Sequence, residues 1–124
     1  MTTNSVYTLA KKHNIKTAFG TDLLFSSAVA SRQGVMLTHL TRWYDNAEIL
    51  KMATSVNADL LAMSGPRNPY QGKLGVIEEE ALADLLVVDG NPLEDIQLVA
   101  KPDKNFMIIM KDGKIHKDSL PPAH

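Results

Sequence analysis

Asp22 is the residue of this chain best placed to do chemistry. It follows the weakly alternating, apolar run Ile15–Phe19 across Gly20-Thr21. A carboxylate just beyond the C-terminal end of a barrel or α/β strand stands where such folds hold ligands and metals. There it can ligate a cation or carry a proton. The same acid also suits a helix N-cap or an Asx turn. Spacing leaves both roles open.

The remaining candidates point to ordinary structure. His13, His39, His116 and His124 are scattered, with no His-x-His and no His-Glu-x-x-His pair, so no local metal site assembles from them. His13 is expected to flank a helix end, His39 to pack on the side of Trp43, and His116 to lie in a strand. Glu78-Glu79-Glu80 reads as a solvated loop rather than paired catalytic acids. Gly72 to Gly75 lacks the Gly-Lys-Ser/Thr ending of a phosphate loop.

Composition narrows the class further. The 124 residues are 44% hydrophobic and 22% charged, as in a globular protein. Thirteen basic against fourteen acidic residues give a net charge of −1, which argues against a nucleic-acid or membrane-surface partner. No cysteine is present, which excludes disulfides and thiol chemistry. No apolar run approaches the roughly 20 residues that span a bilayer. No secretory signal is visible, so the default compartment is the cytoplasm. A complete (β/α)8 barrel takes roughly 250 residues, twice what is here.

The elements that must position Asp22 divide near Pro66. Residues 1–66 hold six basic and four acidic residues; 67–124 hold seven and ten. Val6, Leu9, Ala10 and His13 share one face of a short helix, capped by Asn4 or Ser5. Ile15–Phe19 is expected to be a buried strand. A helical pattern runs through Val35, Met36, Leu40 and Trp43. Asp45 and Glu48 form a capping box, with Tyr44 and Ile49 at staple positions. One helix is then expected from Asn46 to about Ser64, stopped by Gly65-Pro66. Beyond it, Gly72–Ile77 and Leu85–Val88 read as strands. Asp89-Gly90-Asn91-Pro92 is a turn, and Leu93–Leu98 one helical turn. Phe106–Met110 and Lys114–His116 form a hairpin around Asp112-Gly113.

Taken together, these motifs resemble the C-terminal portion of a metal-dependent amidohydrolase, of the imidazolonepropionase-like and Xaa-Pro-dipeptidase-like branch. The resemblance runs from about Tyr7 to Lys117. Ile15–Asp22 resembles the eighth barrel strand, whose Gly-Thr-Asp ends in an essential aspartate. Ala53-Thr54, Asn57-Ala58 and Leu60–Gly65 resemble the last barrel helix. Gly75–Glu78, then Ala83–Leu93, and finally Lys111–Ile115 resemble the return into the small β-sandwich domain and its closing hairpin. The resemblance implies an α/β fold: residues 1–66 as last strand and helices of the barrel, 67–124 as part of a composite β-sandwich. Relatives usually carry Gly where this chain has Glu80; a turn requiring φ > 0 there costs Glu about 1 kcal/mol.

The resemblance implies that Asp22 is both metal ligand and catalytic acid–base. It would bind a divalent metal, usually zinc, and relay a proton from the metal-bound water to the leaving nitrogen of an amide, cyclic amide or dipeptide. The family's other ligands come from strands that this chain does not contain: His-x-His from the first, a carboxylated lysine or acid from the fourth, histidines from the fifth and sixth. The chain alone is therefore expected to be inactive and to bind no zinc tightly. Met1 directly before barrel material suits a truncated gene, an internal start, a split subunit or a fragment. The expected partners are the missing N-terminal barrel portion or a second copy. A non-catalytic binding or structural module derived from the same fold is the alternative.

Overall fold

The computed structural model describes residues 2–23 and 26–122; of the candidates above, only His124 lies outside them. Helix α1 (Thr3–Lys12) starts two to three residues earlier than the expected caps, Asn4 or Ser5, would place it. Thr2 is its N-cap, the side chain accepting from the Ser5 amide at 3.3 Å. Asn4 is used elsewhere, its Oδ1 accepting from Trp43 Nε1 at 2.7 Å, beside Tyr7 stacked on Trp43 at 4.5 Å between ring centres. His13 caps the C-terminal end, as expected.

Ile15–Phe19 forms no strand, which corrects the expected barrel strand. A parallel strand is held by ladder bonds from both neighbours, and no described segment pairs with this one. Ile15 is left 60% exposed. Gly72–Ile77 likewise forms only a single bridge, Lys73 to Ala81.

Short helices follow: α2 (Ser27–Ala30), α3 (Gln33–Thr38) with a 3₁₀ turn at His39–Arg42, α4 (Asn46–Ala53) and α5 (Ser55–Ala62). Leu37, Thr38 and Leu40 are buried, but His39 faces solvent rather than packing beside Trp43. The capping box of α4 is complete. The Glu48 amide donates to Asp45 Oδ1 at 2.8 Å, and the Asp45 amide to Glu48 Oε2 at 2.9 Å. Lys11 Nζ, 2.9 Å from the same oxygen, holds the Glu48 carboxyl below its ordinary pKa, helped by the Asp45 amide.

The single helix expected over Asn46–Ser64 is broken at Thr54, where φ and ψ reach −121° and −95°. The Thr54 hydroxyl donates to the Leu50 carbonyl at 2.8 Å, a local bond that competes with the helical one. Gly75 closes on the break from outside: a Cβ there would lie 2.5 Å from the Thr54 carbonyl oxygen. The helix stop is as expected, with Gly65 at φ +54°.

The second half carries a three-stranded antiparallel sheet in the order β1 (Leu85–Val88), β2 (Phe106–Lys111), β3 (Lys114–Asp118). Asp112 and Gly113 take φ +50° and +73°, the signs a type I′ hairpin turn needs. Asp84, before β1, ties that turn down by accepting from the Asp112 amide and from Lys111 Nζ, both at 2.7 Å. The Lys111 bond, then the amide, holds its carboxyl below the usual range. A 3₁₀ turn at Ile96–Ala100 and α6 (Pro102–Asn105) bridge β1 to β2.

The buried cluster draws on both halves: Leu37, Leu40, Ile49 and Met52 pack with Ile96 and Val99. The fold is thus mixed helix with a small antiparallel sheet. Among the described residues no helix is long and apolar enough to cross a membrane.

Glu80 does sit at φ +65°. Replacing it with Gly removes a left-handed penalty of about 1 kcal/mol, partly offset by the greater freedom of Gly in the unfolded chain. Glu80→Gly is expected to raise the unfolding free energy by about 0.5 kcal/mol, read as a higher urea midpoint at unchanged slope. A lower midpoint would show that the Glu80 side chain itself stabilises the turn.

Candidate functional site

Asp22 lies exposed in the turn that follows Ile15–Phe19, at φ +51°, a left-handed conformation that Asp tolerates better than most residues. Two side chains that sequence reasoning missed fasten this turn. The Phe19 amide donates to Asn57 Oδ1 on α5 at 2.9 Å and more weakly to the Met52 carbonyl at 3.3 Å. The Thr21 hydroxyl donates to Gln33 Oε1, at the start of α3, at 2.7 Å. Lys16 pairs with Asp59 on α5. Asn57 stood in the family motif without a role; nothing local in the sequence marks Gln33.

The other candidates do not gather around Asp22. His116 is an exposed residue of β3, and His13 is exposed at the end of α1. Glu78, Glu79 and Glu80 are exposed, as expected of a solvated loop, with Glu78 paired to Lys73. Among the described residues no three His, Cys, Asp or Glu side chains are grouped to hold a metal. Such centres take about three protein ligands, so the described residues do not by themselves fit one.

Apolar hollows flank the segment leading to Asp22. One, about 440 Å³, is lined by Val6, Tyr7, Leu9 and Ala10 with residues 15–18. A second, about 300 Å³, is lined by Lys16, Ala18, Val56, Asp59, Leu60 and Met63.

No protein-family model and no curated protein matches the sequence. Solved structures do. The crystal structure of an amidohydrolase has a TM-score of 0.80 at 33% identity, covering 94% of this chain and 26% of its own. An uncharacterised protein gives 0.76 at 32% identity, covering 92% and 26%. The chain thus has the fold of about a quarter of an amidohydrolase structure, a share in keeping with a C-terminal portion. The likeness extends to the dipeptidase side of that class. A prolidase solved with N-methylphosphonate-L-proline matches at TM-score 0.77 and 33% identity, over 92% of this chain and 26% of its own.

Proposed function

We propose that this chain is the C-terminal portion of a metal-dependent amidohydrolase that breaks a carbon–nitrogen bond, with Asp22 as its proton carrier and one of its metal ligands. The observation that carries this is Gly20-Thr21-Asp22, fastened in an exposed turn within a fold that matches an amidohydrolase at 33% identity. When bound, a divalent metal, zinc by resemblance, would lower the pKa of its water to about 7. Asp22 contributes the proton traffic. Its carboxylate takes a proton from the attacking water and returns it to the leaving nitrogen, so that the amine departs neutral as the C–N bond breaks. The remaining ligands are proposed to come from the rest of the barrel. Residues 1–66 are assigned to the barrel side and 67–124 to the β-sandwich side.

The apolar hollows beside residues 15–18, and Leu60 and Met63 at 54% and 82% exposed, support a docking role for that face. The chain by itself is expected to self-associate or to bind the complementary barrel portion. Light scattering across a concentration series checks this; a monodisperse monomer at high concentration with a sharp thermal transition would contradict it.

The test of function supplies that complementary portion and follows turnover of an acyl-amide and dipeptide panel, with zinc content measured in parallel. Xaa-Pro dipeptides come first in the panel because of the prolidase likeness. The same exposed face also favours a second reading, a non-catalytic binding module. An upstream reading frame encoding His-x-His and the other strands supports the enzyme; an intact promoter without one supports the module.

A further inference from the structure

We propose that Asn57 and Gln33 are positioning residues that fix the reach of the Asp22 carboxylate. This rests on the reading of Asp22 above.

An aspartate at the end of a sheet strand is aimed by the ladder bonds of its neighbours, and Ile15–Phe19 has no such bonds among the described residues. The segment is nevertheless fixed at definite points. The Ile15 amide donates to the Ala10 carbonyl at 2.8 Å, which sets where the segment leaves α1. Asn57 then holds the backbone three residues before Asp22, and Gln33 holds the side chain immediately before it. The two amides come from different helices, α5 and α3, so the turn is gripped from two sides. Both supply a neutral oxygen as acceptor, adding no charge beside the carboxylate they position.

The break at Thr54 serves the same end. With the helix interrupted there, the Met52 carbonyl accepts from the Phe19 amide, and Asn57 lies on the first turn of the new helix, against the segment. Gly75, whose missing Cβ would strike the Thr54 carbonyl, lets the chain of the second half close over that break. Thr54, Asn57 and Gly75 are all motif positions of the resemblance, and one arrangement accounts for the three. Precision matters here because a proton acceptor works only within about 2.6–3.2 Å of its proton's donor. A misplacement of about 1 Å can cost 10²-fold in rate.

The experiment has two readouts. In the 124-residue chain, amide hydrogen exchange is followed at Phe19, with Ile109 on β2 as the measure of global opening. Asn57→Leu, which keeps the branched shape and removes the acceptor, is expected to speed Phe19 exchange at least about 10-fold while Ile109 is unchanged. Asn57→Asp, which keeps an acceptor oxygen, is expected to restore protection. In the reconstituted pair, Asn57→Leu is expected to lower kcat about 10- to 100-fold with KM within about 3-fold. Gln33→Met, at an exposed position where folding is not at risk, is expected to give the same kcat-against-KM split.

Phe19 and Ile109 accelerating together would make Asn57 a general stabiliser and overturn the proposal. So would unchanged kcat in Asn57→Leu and Gln33→Met when Asp22→Asn abolishes turnover. Should Asp22→Asn itself turn over normally, the reading of Asp22 fails, while selective loss of Phe19 protection still supports the grip on the turn.

Discussion

Replacing Asp22 with Asn is expected to lower turnover by the reconstituted pair about 10²–10⁴-fold, the usual cost of losing one positioned acid–base group. The substitution keeps the shape and nearly the volume of the side chain. It tolerates the same left-handed conformation, φ +51°, since Asn and Asp both visit it readily. The turn should therefore survive, and what disappears is the charge: an anionic ligand and a proton acceptor. Zinc content is expected to fall in parallel. The control is Asp45→Asn. Asp45 is also an exposed aspartate, but it caps α4 by accepting from the Glu48 amide at 2.8 Å, and Asn is an equally good cap. Turnover is expected to be nearly unchanged in that variant. Should Asp22→Asn match the unaltered pair in turnover and zinc, the aspartate is only a turn residue and the site lies elsewhere.

Legibility of this fold follows the range of the forces involved. The capping box of Asp45 and Glu48, the Asp112-Gly113 hairpin and the stop at Gly65 are local rules, readable within four or five residues. What depends on distant chain was misread. Thr54 looks like an unremarkable position in a long apolar helix until Gly75 packs against its carbonyl. Ile15–Phe19 has strand-forming residues, yet a strand exists only with partners to bond to. Asp22 could be singled out because an acid after a Gly turn is a recognisable chemical arrangement. Its supports, Asn57 and Gln33, are amides whose significance exists only once α5 and α3 are brought to the turn. Glu80 is the intermediate case. Its φ of +65° has no mark in its own residue type and was suggested only by the glycine usual in relatives.

Gly34→Ala is expected to destabilise the chain by about 3 kcal/mol, against what helix propensity alone predicts. Gly34 lies inside α3, and no left-handed conformation demands glycine there; in an unobstructed helix Ala would be better by roughly 1 kcal/mol. Contact reverses the sign. A Cβ on Gly34 would sit 1.9 Å from the Val99 carbonyl oxygen, 2.8 Å from its carbon and 3.3 Å from Ala100 Cα. All three are backbone atoms, so no side-chain rotation relieves the clash, and the two segments must move apart by more than 1 Å. That movement opens the core where Leu37 and Leu40 meet Ile96 and Val99. Overpacking usually costs about 1–3 kcal/mol, and each large aliphatic side chain pulled from burial forfeits up to about 1.5–3 kcal/mol more. The high end applies because the obstruction is rigid on both sides. In a domain of this size, about 3 kcal/mol corresponds to a fall in Tm of roughly 10–20 °C. Gly20→Ala is the matching control: nothing lies within 4 Å of its Cβ position, and the change is expected to stay within about 0.5 kcal/mol. Thermal and urea unfolding of the two variants side by side give the answer. A Gly34→Ala chain as stable as the parent would mean that α3 and the Ile96–Ala100 turn do not meet backbone to backbone, and that the core shared by the two halves is looser than this contact requires.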